Sequence, residues 1–133
     1  SILVKDPSGN TWFMDGAGNI CFMVPKNFTV NAGENITMTA GKNVTVSAGD
    51  DMDNSAGKNI TQTAGNDLSQ SAMGNITEMS NNRTEMVEKD FIRQADTSNE
   101  IASEVTIFSQ KENMTLQSGK TVEVNSAEKS KMF

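Results

Sequence analysis

The chain has 133 residues, of which 35% are apolar and 5% aromatic, with a net charge of −6. This acidic balance argues against nucleic-acid binding, which requires clustered Lys and Arg to contact phosphates. The absence of His excludes histidine-based acid–base and metal chemistry. A single cysteine, Cys21, excludes a disulfide within the chain. The composition therefore favours a protein that is not an enzyme, with no catalytic residue, no metal and no cofactor.

Residues 1–30 are predicted to form a first segment that contains the first β repeats. Trp12, Ile20 and Phe28 are apolar and lie eight residues apart. Their spacing places the start of an eight-residue repeat near Trp12.

Residues 31–80 show the repeat most clearly. From Asn31 the chain reads NAGENITM, TAGKNVTV, SAGDDMDN, SAGKNITQ, TAGNDLSQ and SAMGNITE, without a gap. The apolar and small positions are even-numbered and most Thr positions are odd, which indicates a strand with one buried face. Glycine beside Asn or Asp supplies positive φ at little cost and predicts a tight corner in each repeat. The predicted turn glycines are Gly33, Gly41, Gly49, Gly57 and Gly65.

The second apolar position of the repeat changes character along the chain. It holds the apolar residues Met14, Phe22, Val30, Met38 and Val46 and then the polar residues Asn54, Gln62, Gln70 and Glu78. Two interpretations remain open, since these amides either line a partly polar interior or reach solvent at a corner. Residues 81–104 form the least regular segment, where a strand and a short helix are both compatible with the sequence. Residues 105–133 are predicted to be a distal β-helix with a C-terminal tip.

Eight residues are too few for one chain to close a coil around a core. A single-chain meander would place successive turns at opposite ends, which fits identical turn chemistry poorly. Three chains that each supply one strand per level bury the apolar positions inside a triangular prism. The predicted fold is therefore all-β, an intertwined triple-stranded β-helix or trimeric β-prism built from eight-residue repeats. The predicted trimer core consists of Trp12, Ile20, Phe28, Ile36, Val44, Met52, Ile60, Leu68, Ile76, Phe108, Leu116 and Val124.

The repeat A-G-[KED]-N-[IV]-T between Gly33 and Asn75 resembles the C-terminal β-helix of VgrG proteins, the spikes of type VI secretion. The segments Asp6-Pro7-Ser8-Gly9-Asn10 and Gly18-Asn19-Ile20 are similar to that family's D-x-x-G-N and G-N-I patterns. The resemblance implies a homotrimeric needle, like that of contractile-phage tails, above a secretion tube. It implies location in the bacterial cytoplasm before firing and injection across the envelope of a target cell, whose membrane is crossed transiently. It also implies a PAAR-like tip protein or effector at the C-terminal end.

The C-terminal residues are the candidate docking site for that tip. Lys131, Met132 and Phe133 combine a cation with two apolar side chains, although a frayed tail is an equally good interpretation. A second class of function is also compatible with the sequence. Outward Thr pairs such as Thr37 and Thr39 are also typical of a receptor- or surface-binding β-solenoid, such as a phage tail spike, an adhesin or an ice-binding protein.

Overall fold

The computed structural model describes residues 1–131, and within them it contains strands and no helix. The strands are β1 (Ile2–Lys5), β2 (Thr11–Met14) and β3 (Ile20–Met23). They form one antiparallel sheet in the order β1-β2-β3, open at both edges. The prediction of an all-β chain is confirmed at this level. In the described range no helix offers a segment that could cross a membrane.

The register of the sheet places apolar side chains on both faces. Trp12 pairs with Val4 and with Phe22, and Met14 pairs with Ile2 and Ile20. Because directly paired residues point to the same side, one face carries only even-numbered apolar residues. The opposite face carries Leu3, Phe13, Cys21 and Met23, alongside Lys5 and Thr11.

Residues 6–23 are two nine-residue units, each made of a five-residue loop and a four-residue strand. Asp6 and Asp15 begin the loops, and Asn10 and Asn19 end them. The eight-residue step predicted from Trp12 to Ile20 therefore joins two neighbouring strands of a meander. The hairpin loop length therefore sets the spacing of these two strands.

The chain divides into two units, residues 1–70 and 71–133. In the first unit, bends recur after the sheet at 33–34, 41–42, 49–50, 57–58 and 65–66. Each bend begins at one of the five predicted turn glycines, so the corners lie where the sequence places them. Their conformation differs from the prediction, since positive φ occurs within residues 1–131 at Gly9, Gly16 and Gly18. The corners of the repeat change direction at ordinary φ.

In the second unit, bends recur at 73–74, 81, 88–89, 96–97, 103, 110–112, 119–120 and 127–128. They continue through residues 81–104 at intervals of seven or eight residues. The chain forms neither a helix nor a paired strand in that segment. The bend spacing of the repeat therefore continues through residues 81–104, although this segment contains no glycine.

The chain does not bury a core by itself. No residue of the described range is buried, and the exposed surface is 15094 Å². A folded monomer of 14.3 kDa exposes roughly 6,800 Å² and an extended chain roughly 21,000 Å². Between residues 24 and 131, the structure shows no backbone-to-backbone hydrogen bond. The repeats therefore present both their apolar side chains and their peptide groups to the surroundings.

Candidate functional site

The two loops of the sheet are closed by the same hydrogen-bond arrangement. Asp6 Oδ1 accepts the backbone N–H groups of Ser8 at 3.1 Å and Asn10 at 2.9 Å, and Asp6 Oδ2 accepts Asn10 Nδ2 at 2.9 Å. An aspartate that bonds the backbone two and four residues later fixes a turn without help from the rest of the fold. Gly9, at φ 100°, supplies the left-handed step before the next strand.

The second loop repeats this geometry. Asp15 Oδ1 accepts the backbone N–H groups of Ala17 at 2.6 Å and Asn19 at 3.1 Å, and its Oδ2 accepts Asn19 Nδ2 at 2.6 Å. Gly18, at φ 98°, occupies the place of Gly9. The D-x-x-G-N pattern that contributed to the VgrG resemblance is thus a hairpin-loop signature in this chain.

These hydrogen bonds favour the charged carboxylates. The side chains of Ser8 and Asn10 hold the pKa of Asp6 below its ordinary value. The Asn19 side chain, followed by the backbone N–H groups of Ala17 and Asn19, does the same for the pKa of Asp15. Both carboxylates are fully exposed, so they stabilise the loops and are poor candidates for proton transfer.

An aromatic cluster lies on the even-numbered face of the sheet. The rings of Trp12 and Phe22 are 5.7 Å apart at their centroids, and those of Phe22 and Phe28 are 6.0 Å apart. These distances are typical of favourable aromatic pairs. The predicted core residues Trp12 and Phe28 are therefore joined through Phe22, which the predicted core omits, and all three remain largely exposed. Strand pairing explains the omission, because Phe22 lies in register with Trp12 rather than eight residues from it.

The predicted core positions of the regular repeats share one environment. Their exposed fractions lie between 56% and 62%, whatever the side chain. Such uniformity indicates that the repeats are conformationally equivalent and that the same side of each remains uncovered. The residues are Ile36, Val44, Met52, Ile60 and Leu68. The amides Asn54, Gln62 and Gln70, two residues after three of them, are exposed in the single chain.

The second unit holds an ion-pair cluster that the sequence analysis did not single out. The Arg83 guanidinium contacts the carboxylates of Glu78 and Glu85, and its Nε lies 3.1 Å from Glu85 Oε1. Arg83 lowers the pKa of Glu85 below its ordinary value by donating hydrogen bonds to it and by its charge. Arg93 lies over the Phe91 ring at 5.5 Å from the centroid. The alternation of Arg83 and Glu85 was the available sequence signal, since residues two apart share a face in an extended chain.

The distal predicted residues also lie on the surface. Ile76, Phe108, Leu116 and Val124 are exposed, as is Lys131. Met132 and Phe133 lie outside the described residues, so their predicted role in tip docking stays a prediction.

Within the described residues the surface carries exposed apolar side chains and open concavities. An open concavity of about 300 Å³ is lined by residues that include Val4, Trp12 and Phe22 at the sheet. Another, of about 320 Å³, is lined by Glu85, Val87 and Phe91. Within residues 1–131 no three Cys, Asp or Glu side chains come together in a way that could hold a metal ion. No protein-family profile, no curated protein and no solved structure matches this chain.

Proposed function

We propose that three copies of this chain wind into a triple-stranded β-helix that acts as the needle of a bacterial contractile injection system. The observation that carries the proposal is the uncovered apolar row of the eight-residue repeats. A sequence that repeats its apolar positions without burying them in one chain requires partners that complete the core.

The backbone supports the same conclusion. Peptide N–H and C=O groups that are left unpaired along a repetitive extended chain are templates for pairing with other strands. Identical chains supply partners of matching period, because every level of the helix then meets an equivalent level of its neighbours. Closure around a threefold axis also removes free sheet edges, which would otherwise promote open-ended aggregation.

The mechanical role follows from this assembly. Each buried apolar side chain stabilises the shaft by about 1.5–3 kcal/mol, repeated over every level and three chains. Interchain hydrogen bonds along the levels resist bending and shear, which a needle needs when a sheath drives it through an envelope. A Thr- and Ser-rich exterior with net negative charge keeps the assembled shaft soluble and non-adhesive. The secretion tube below and the PAAR-like tip above belong to this proposal through the VgrG resemblance.

The native mass of the full chain tests the proposal first. Light scattering should give a particle of about three times 14.3 kDa that survives denaturant concentrations at which single domains of this size unfold. A folded monomer would reject the needle and favour a single-chain surface-binding solenoid. If the mass is trimeric, capture of a PAAR-like tip protein by the full chain and by a chain lacking residues 131–133 tests the injection role.

A further inference from the structure

The second unit contains two single-residue shortenings of the repeat. In the first unit the leading apolar residue lies three residues after the start of each bend, as Ile36 does after Gly33. Counting in the same way from the bends at 88–89 and 96–97 selects Phe91 and Asn99. One eight-residue step back from Phe91 gives Arg83, one residue before Thr84, which the bend at 81 selects. The step from Ile76 to Arg83 is seven residues.

In the distal part the bends agree with this frame to within one residue. Eight residues after Asn99 is Ile107, and the bends at 110–112 and 119–120 precede Met114 and Val122. The step from Ile107 to Met114 is again seven residues. The bends at 103 and 110–112 each begin one residue before the place that this frame gives them.

Small and turn-forming residues follow the shifted frame. In the regular repeats an Asn or Asp stands directly before the leading position and an Ala stands four residues before it. In the shifted frame, Asn82, Asp90 and Asn113 stand directly before the leading positions Arg83, Phe91 and Met114. Ala95 stands four residues before the leading position Asn99. The residues that define the repeat thus support the frame independently of the bends.

Exposure separates two neighbouring pairs of residues by parity around the bend at 88–89. Val87 and Phe91 are 53% and 58% exposed, like the core positions of the regular repeats, whereas their neighbours Met86 and Ile92 are 91% and 86% exposed. Between Met86 and Ile92 the odd-numbered residues therefore take the side that even-numbered residues take in the first unit, whereas the odd-numbered Ile101 is 97% exposed. In the distal part Val122, the leading position of this frame, is 49% exposed, and Val124, which uniform eight-residue spacing selects, is 61% exposed.

Building on the needle proposed above, we infer that residues 83–107 turn their odd-numbered side chains toward the second and third copies of the chain. A seven-residue step exchanges the two faces of a strand, because side chains alternate with period two. A second seven-residue step restores them. This assigns Phe91 and Ile107 to the trimer interface in place of Ile92 and Phe108, which uniform eight-residue spacing would select.

The inference places a charged layer inside the shaft. Glu78, Arg83, Glu85 and Arg93 lie at the leading or following position of their repeats, and their formal charges sum to zero. Arg83 already contacts both carboxylates within one chain, and Arg93 covers Phe91. The open concavity lined by Glu85, Val87 and Phe91, about 320 Å³ in volume, is of a size to receive a side chain from a second copy. A paired charged layer of this kind fixes the register of chains that are otherwise free to slip by one repeat.

Two matched pairs of substitutions in the full chain test this assignment. We expect Phe91→Asp and Val87→Asp to lower the trimer-to-monomer ratio by about a hundredfold or more, because each introduces three unpaired carboxylates into the interface. Ile92→Asp and Met86→Asp, one residue away, should leave the native mass and the denaturation midpoint unchanged. Light scattering and urea unfolding at one protein concentration measure both quantities.

The outcomes separate this inference from the proposed function. If the unsubstituted chain is a monomer, the needle itself is rejected. If the unsubstituted chain is trimeric but Ile92→Asp and Met86→Asp dissociate it, the faces are assigned the wrong way round. Equal effects within either pair, including no effect at all, also overturn the inference.

Discussion

The sheet of residues 2–23 and the repeats of residues 31–70 have similar side chains but complete their structures by different means. Each loop of the sheet carries its own aspartate, asparagine and left-handed glycine, so its hydrogen bonds close within five residues. The repeats have a glycine at every corner as well, yet these lie at ordinary φ and the backbone groups of the repeats find no backbone partner among residues 1–131. Local interactions specify the first structure, and the second depends on contacts that one chain cannot supply.

Glycine therefore has a conformational role in the loops of the sheet that it does not have in the corners of the repeats. Gly18 adopts a φ that side chains rarely tolerate, so its backbone conformation alone accounts for it. Gly41 has no such requirement, and a Cβ built on it would meet nothing within 4 Å. Neither backbone conformation nor space within the chain therefore requires glycine at this position.

The largest expected effect comes from a charge on the uncovered row of the repeats. Ile60→Asp should dissociate the trimer while the sheet keeps its local structure, since three buried side chains at about 1.5–3 kcal/mol each are lost together with the cost of burying charge. Light scattering measures the mass, and Trp12 fluorescence, from the only tryptophan, follows the sheet.

Thr61→Asp is the control for this change because it adds the same charge on the opposite side of the same strand. It should leave the native mass unaltered. A trimer that tolerates Ile60→Asp as well as Thr61→Asp would mean that the even-numbered row faces solvent in the assembly.

Much of the fold could be predicted from the sequence where the repeat is strict. The all-β class, the corners at Gly33 to Gly65 and the equivalence of Ile36 to Leu68 all follow from a period that is both even and constant. The sheet could not be predicted in the same way, because its nine-residue unit differs from the repeat by one residue, and the eight-residue separation of Trp12 and Ile20 matches the repeat although both residues lie in the sheet. The Asp6 and Asp15 loops decide between them, through hydrogen bonds that depend on loop length.

The inward-facing residues of the segment 81–104 could not be predicted from uniform spacing either. Uniform eight-residue steps reach Thr84 and Glu100 there, which made the segment look irregular. A single missing residue shifts every later position to the other face, and polarity alone cannot locate it when Arg83 and Glu85 occupy positions that hold apolar side chains elsewhere. The bends and the exposure of Phe91 against Ile92 locate it, since both depend on backbone geometry.

A matched pair of glycine substitutions sharpens the contrast between the two kinds of turn. Gly18→Ala should destabilise the sheet by about 1–2 kcal/mol, because it forces a Cβ into the left-handed region. Gly41→Ala should change the stability of the trimer by less than about 0.5 kcal/mol per chain, since neither φ nor space within the chain opposes it. Urea unfolding followed by Trp12 fluorescence and by native mass measures the two. A larger loss from Gly41→Ala than from Gly18→Ala would show that a neighbouring chain approaches the corner closely.

The smallest expected effect is the response of the sheet to acid, and it should be confined to the sheet. Because the folded pKa values of Asp6 and Asp15 lie below the ordinary value of about 3.9, their stabilising contribution is full above about pH 5 and is lost as the pH falls through the lowered values. Asp6→Asn and Asp15→Asn remove that titration, so Trp12 fluorescence should lose part of its acid transition in each variant. Asp50→Asn removes an equal charge at a bend of the repeats and should leave the Trp12 transition in place. If Asp50→Asn shifts the transition as far as Asp15→Asn does, then net charge rather than the loop hydrogen bonds governs the acid response, and the local character of the sheet would have to be given up.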